Sequence, residues 1–542
     1  MGKTIWHNGL IYTMKSENQT VEAVLTNEGK IIETGAFEYL KDVYHFEITR
    51  DIDLQGNTML PGLVDSHMHL IGHGERLMRL DLSAMKSREE VLQAVADKCQ
   101  STPKGEWIVA EGWNENEWAH PELILLDDLD AISTDHPLVL KRICRHAMAV
   151  NSRTLTEAGI TANVHEPAGG VVGRYKDGRL NGIFKEEPAM ELIASKLPGI
   201  TQAYIEEALR TAIKDCYRLG LTGCHTEDLN YYNGFRPTYD AFVSVIENHG
   251  MAFRASLLVH HEAVDDMNRD GYAYGEGTSY ITFDAMKIFA DGSLGGNTAL
   301  LSLPYRDNPE TQGIAIFTQE ELEGLVKKAR SFDMPVAVHA IGDLAFQNVL
   351  DAIEKFPPQK GIRDRLIHAQ IVREDLLDRA ASLPVIFDIQ PGFVASDFPW
   401  VEEKVGKELL QYSYAWKTYS EKGIVCAGGS DAPIEPLHPF LGIHAAVTRT
   451  KPYGLDKTIY GDKERLSIYE AVSLYTKGSA YANGSEKRRG KIEKGFDADF
   501  TIVDRNIFTV NCDSLLETKA LMTVIDDHIV HQEGNVTIIK KL

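Results

Sequence analysis

Hydrophobic positions along the middle of the chain fall into short β-branched runs separated by amphipathic stretches. Eight runs read as strands: 58–67, 222–227, 253–260, 285–290, 336–340, 365–368, 385–389 and 425–430. Stretches such as 204–219, 318–332 and 343–354 carry apolar residues at helical spacing between them. Alternation of this kind predicts a parallel α/β fold. Eight strand–helix units predict a distorted TIM-type (β/α)8 barrel more readily than an open sheet.

Both ends of the chain carry a different pattern. Residues 4–13, 21–26 and 30–34 near the start, and 499–503, 521–525 and 528–531 near the end, are short β-rich runs. They predict one small β-sandwich domain assembled from residues 1–58 and 484–542, beside a barrel domain over 59–483. The gap between the first two barrel strands is too long for one crossover. Residues from about 75 to 200 therefore read as a large insertion with its own structure, expected over the barrel mouth.

Composition narrows the class. The 542 residues are 43% hydrophobic and 25% charged, which excludes a disordered or collagen-like chain. A chain of this length buries a large core unaided, so a metal in it points to catalysis rather than to folding. The formal net charge of −23 argues against unaided binding to nucleic acid or an anionic membrane. Six scattered cysteines with no CxxC pair read as reduced thiols. The first residues carry no signal-like apolar stretch, and no apolar run reaches the roughly 18 residues of a membrane helix. The expectation is a cytoplasmic protein acting on a small molecule, with no nucleic-acid or membrane partner; a homodimer is compatible with it.

The candidate chemistry sits at the ends of the expected strands. His67 and His69 stand two residues apart, so both imidazoles lie on one face of the strand. The fifth run ends in His339, the sixth in His368 and the eighth in Asp431, and the fourth carries Lys287. Singly, each has a plain structural reading: a backbone-satisfied histidine, an N-capping aspartate, a paired lysine. Together they converge on the C-terminal face of the barrel, where this fold places active sites, and point to a metal centre. A protonated Lys287 cannot ligate a cation. It either points away and pairs with an acid such as Asp291, or reacts with CO₂ to become a bridging carbamate. Four imidazoles and one carboxylate are electron-poor for two dications, which favours the carboxylated lysine.

The set HxH, Lys, His, His, Asp on strands 1, 4, 5, 6 and 8 resembles the amidohydrolase superfamily. Further motifs are Gly112-Trp113-Asn114-Glu115-Asn116-Glu117-Trp118, His146 with Asn151-Ser152, Phe184-Lys185-Glu186 and Lys287-Ile288-Phe289-Ala290-Asp291-Gly292-Ser293. These are similar to the amidohydrolase family 3 branch that contains N-substituted formamide deformylases and YtcJ-like proteins. The resemblance spans nearly the whole chain. It implies His67 and His69 as ligands of one metal, His339 and His368 as ligands of a second, and Lys287 as the N6-carboxylated bridge. Asp431 is implied as ligand and proton shuttle. The superfamily uses one or two metal ions, and zinc suits imidazole and carboxylate ligands.

In the insertion, Trp113, Trp118, His146 and Asn151 are candidates to line a substrate pocket, with the two tryptophans equally able to form the insertion's own core. Asp291 is a candidate substrate contact, and Asp343, Glu186 and Glu187 are weaker ones. His225 at the end of strand 2 is a further candidate ligand. The expected activity is metal-dependent hydrolysis of a C–N amide-type bond in an N-substituted amide or formamide. Alternatives are a cyclic amide, carbamate, lactone or ring-deamination substrate on the same site, or a non-catalytic binding homologue.

Overall fold

A computed structural model of the chain describes residues 2–142, 147–167, 169–197, 199–454, 457–533 and 536–540, without the side chains of 117, 187 and 537–540. The chain divides into two compact units, one formed by Met1–Gly72 with Ala212–Leu542 and the other by His73–Thr211.

The first unit holds eight parallel strands: β1 (Leu63–Met68), β2 (Leu221–Thr226), β3 (Arg254–His260), β4 (Ile281–Phe289), β5 (Val336–Ala340), β6 (Asp364–His368), β7 (Val385–Ile389) and β8 (Cys426–Gly428). They pair in sequence order from β1 to β8, which makes the distorted barrel. Helices such as Gln319–Ser331 and Asp343–Lys355 follow the amphipathic stretches closely. Thr318 opens the first of them with a capping box to Glu321, satisfying two N-terminal donors.

Closure between β8 and β1 is not made by a regular ladder. Instead, the Asp431 N–H donates to the His67 carbonyl at 2.8 Å, and the His69 N–H donates to the Ala432 carbonyl at 2.8 Å. The Asp65 carboxylate accepts the N–H groups of Ser430 (3.0 Å) and His67 (3.1 Å). Gly429 permits this approach: a Cβ there would lie 2.5 Å from the His67 nitrogen and 2.7 Å from the Asp65 Oδ1. The barrel thus closes through the residues that carry the candidate chemistry.

Nine strands from both ends of the chain form the small β-domain. Lys3–Tyr12 pairs in parallel with Ile48–Asp53 along its first half and with Thr58–Pro61 along its second. Trp6, Val24, Ile52, Phe500 and Val524 fill its core. The run 58–67, expected as one barrel strand, is divided at Gly62. Its first part pairs with Phe500–Val503 in the terminal sheet, and only the second part enters the barrel.

The second unit carries a six-stranded sheet running from Val171–Arg174 through Leu180–Lys185, Ala147–Val150, Leu138–Arg142 and Ile108–Trp113 to Leu80–Asp81. It has its own apolar clusters, one around Trp113, Trp118 and Leu140 and another around Phe184 and Val139. Among the described residues, no helix is long and apolar enough to cross a membrane.

Candidate metal centre

The C-terminal ends of β1, β4, β5, β6 and β8 bring six side chains of the first unit together. Asp431 Oδ1 lies 3.4 Å from His67 Nε2 and 3.5 Å from His69 Nε2. These three groups are close enough to share one cation. Lys287 Nζ lies 3.3 Å from His67 Nε2, and on the far side His339 Nδ1 faces His368 Nε2 across 3.0 Å. His368 (φ 76°) and Asp431 (φ 58°) both adopt left-handed backbone conformations, which aim their side chains at this point. Such strain in non-glycine residues is held only where surrounding structure enforces it.

Hydrogen bonds at the back of three of the four rings orient them, while His67 Nδ1 has no hydrogen-bond partner among the described residues. His69 Nδ1 donates to the Glu227 carbonyl at 2.9 Å, and His339 Nε2 donates to the Gly292 carbonyl at 3.0 Å. His368 Nδ1 donates to Gln390 Oε1 at 2.7 Å, an orientation supported by the Gln390 amide donating to the Asp388 carbonyl at 3.4 Å. A carbonyl only accepts, so the opposite nitrogen of each neutral ring carries a lone pair. His339 Nδ1 and His368 Nε2 therefore present acceptors inward, and His69 Nε2 does so once its ring gives up the proton it shares with Asp431. A donor set of this kind fits a divalent cation. Oriented outer hydrogen bonds of the same type accompany metal-ligating histidines generally.

Charge follows the geometry. Burial, with Lys287 and neighbouring histidines beside it, holds His67 well below the usual histidine range. Burial likewise holds His339 well below that range and His368 at about 4. At His69 burial opposes protonation, but the hydrogen bond and charge of Asp431 outweigh it and push the group up to about 9. Burial lowers Lys287 to about 8, against the opposing pull of Glu227 and Asp431. Asp431 lies below the normal carboxylate range, because His69, His368 and Lys287 outweigh its burial. It is an anion at neutral pH.

Beneath the centre, the buried Arg365 guanidinium binds Asp388 and Asp284, each at 2.7 Å, and donates to the Ser66 carbonyl at 2.8 Å. It also donates to His225 Nδ1 at 3.0 Å. His225 is thereby a partner of this ion network, and its candidacy as a ligand is corrected.

Several other expectations are corrected by burial. Trp113 and Trp118 pack against each other, tilted, with ring centres 6.2 Å apart, inside the second unit's own core and offer no pocket surface. Asn151 is fully buried as an N-cap: its Oδ1 accepts from Leu138 and Thr154, and its Nδ2 donates to Ser133 and His136. Asp291 is 1% exposed and accepts N–H bonds from Leu300, Ile341 and Gly342, so it ties loops together rather than facing substrate. It does not pair with Lys287, whose ammonium lies over the Phe289 ring. Asp343 binds Ser302 and Arg373. Glu186 is exposed at the start of helix Glu187–Ala194. His146 lies outside the described residues.

The aromatic groups at the centre come from the barrel instead. Tyr231 is 5.8 Å from His260, His260 is 6.1 Å from Phe289, and Phe393 stacks on His368 at 5.9 Å. Sequence reasoning missed these, and also missed Asp65, Glu227 and Gln390. The signal for Glu227 and Gln390 was the one that found His339: a polar residue at the C-terminal end of a barrel strand.

A barrel closed through His67 and Asp431, with inward-facing imidazole acceptors, defines an amidohydrolase. The amidohydrolase family model matches residues 50–531, and the chain belongs to that family. It is 48% identical to YtcJ of Bacillus subtilis (strain 168) over 532 residues, covering 98% of this chain and 100% of the relative. It is 25% identical to the N-substituted formamide deformylase of Arthrobacter pascens, over 96% of both chains. Among solved structures, an uncharacterized metal-dependent hydrolase from Pyrococcus horikoshii OT3 superposes with a TM-score of 0.76 at 30% identity, covering 94% of this chain and 99% of that one.

Proposed function

We propose that the chain hydrolyses a C–N amide-type bond of a small N-substituted amide or formamide, using zinc held by His67, His69, His339, His368 and Asp431. The observation that carries this reading is the pair of imidazole lone pairs that outer hydrogen bonds turn inward at His339 and His368, beside the cluster of His67, His69 and Asp431. When bound, a divalent metal supplies water activation near neutral pH and polarisation of the substrate carbonyl. Lys287 serves as the N6-carboxylated bridge between two ions. Its position 3.3 Å from His67 Nε2, with no carboxylate within salt-bridge distance among the described residues, supports this assignment.

Asp431 is the proton carrier. Ionised and 8% exposed, it accepts the proton of the attacking water on its carboxylate and returns it to the leaving nitrogen. Tyr231, Phe289 and Phe393 supply apolar faces for the substrate's N-substituent. The likeness to the formamide deformylase supports an acyl or formyl group on nitrogen. The reaction takes place in the cytoplasm on a soluble small molecule.

The test is turnover of a panel of N-formyl and N-acyl amines set against carbamates, cyclic amides and lactones, with His67→Ala as the blank. Release of amine from the first group alone is expected. Turnover confined to lactones or carbamates would overturn the bond assignment.

A further inference from the structure

Glu227 follows the last residue of β2 and plays no part in the chemistry above. Its side chain is 0% exposed, and among the described residues neither carboxylate oxygen has a hydrogen bond of normal geometry. The neighbouring donor is the Tyr231 phenol, which interacts with the carboxylate only outside normal hydrogen-bond geometry. A buried carboxylate without hydrogen bonds is costly unless nearby charge offsets it, and His69 and Lys287 are the cationic groups beside this one.

The position of that charge is set by His69. The Glu227 main-chain carbonyl accepts His69 Nδ1–H at 2.9 Å, and its Oε2 lies 3.7 Å from the same nitrogen. One residue therefore holds the outer edge of the ring twice, with a dipole and with a charge. On the inner edge, Nε2 faces Asp431. The four imidazoles are neutral as ligands, so Asp431 and the Lys287 carbamate together leave part of the charge of two dications uncompensated in a buried site.

Resting on the metal reading above, we propose that Glu227 is a positioning residue of the metal centre. Its carbonyl fixes the His69 ring, and its carboxylate supplies, through that ring, the negative charge that a bound cation requires. Polarising Nδ1–H makes Nε2 a stronger donor to metal. A buried carboxylate with no hydrogen bond of its own, 3.7 Å from His69 Nδ1, is the counterpart of the cation on the other side of the ring.

The test uses the full-length protein and zinc, with affinity measured by competition against a chromophoric chelator. Glu227→Gln keeps the shape and removes the charge. It should weaken zinc binding by about 10–100-fold, the usual loss for an outer partner of a metal ligand. Glu227→Asp keeps the charge and should retain part of the affinity. Thermal unfolding supplies a readout that a purely structural role would not give. Stripped of zinc, Glu227→Gln should unfold close to the wild-type temperature, since the cost of burying the charge and its attraction to His69 offset each other. Loaded with zinc, it should unfold below wild type. Wild-type zinc affinity in Glu227→Gln, or an equal drop in both forms, overturns the inference. If Glu227→Gln does not fold, wild-type affinity in Glu227→Asp overturns it instead. A wild-type protein that binds no zinc fails the metal reading itself, and this inference with it.

Discussion

His339 Nδ1 and His368 Nε2 face each other across 3.0 Å, each with a lone pair because the opposite nitrogen of its ring donates to a fixed oxygen. Two acceptors at that distance repel unless a cation lies between them. The Gln390 Oε1 enforces the arrangement at His368. Gln390→Leu frees the ring to take the other tautomer, and zinc affinity should fall by roughly 10–100-fold. Chelator competition measures this; unchanged affinity would show that the tautomer is held by something else.

Asp65 holds the turn that carries Asp431 against β1. Asp65→Ala leaves the Ser430 and His67 N–H groups buried without partners. At about 1–3 kcal/mol for each of the two groups, the variant should lose roughly 2–6 kcal/mol in urea unfolding and most of its kcat. Asp65→Asn, which keeps one acceptor oxygen, should fall between. A stability within about 0.5 kcal/mol of wild type would remove the clasp from the account.

Asp397 gives a pH signature. Burial pushes it up to about 7, although Tyr414 and Gln370 both donate to its Oδ2. Folded, it keeps a proton that the unfolded chain releases near pH 4. Its contribution to stability therefore falls as pH rises from about 4 to about 7 and is fully adverse above that. Asp397→Asn cannot ionise. Its stability gain over wild type should be near zero at pH 4 and on the order of 1 kcal/mol at pH 8, allowing for the part-exposed side chain. Urea unfolding at both values measures the difference, and a gain independent of pH would contradict it.

Much of this was legible in the chain. Strand ends announced His67, His69, Lys287, His339, His368 and Asp431, because a parallel barrel delivers every strand to one face. What stayed hidden depends on packing between distant segments. Trp113 and Trp118 carry the same composition whether they line a pocket or fill a core, and only their burial against Leu140 decides. Asp291 reads as a free acid until Ile341 and Gly342, fifty residues on, present their N–H groups. The division of 58–67 at Gly62 depends on Phe500–Val503, from the other end of the chain.

Lys287 as a carbamate has a direct consequence. A crystal structure grown with bicarbonate should show density beyond Nζ, with oxygens about 2 Å from each metal. Lys287→Ala should lose activity and regain part of it with added short carboxylates. A bare amine with a single ion would replace the bridged pair with a mononuclear site.

Asp431→Asn separates proton transfer from metal binding. The amide keeps the shape of the side chain but loses the basic oxygen, so kcat should fall about 10²–10⁴-fold with much of the metal retained. Near wild-type turnover with metal bound would move the shuttle to another group.

The most direct test of the account follows metal content and turnover in one sample. Elemental analysis and amine release should decline together during prolonged chelation and return together on adding zinc, with at most two ions per chain. Full turnover in protein shown to be free of metal would contradict the account.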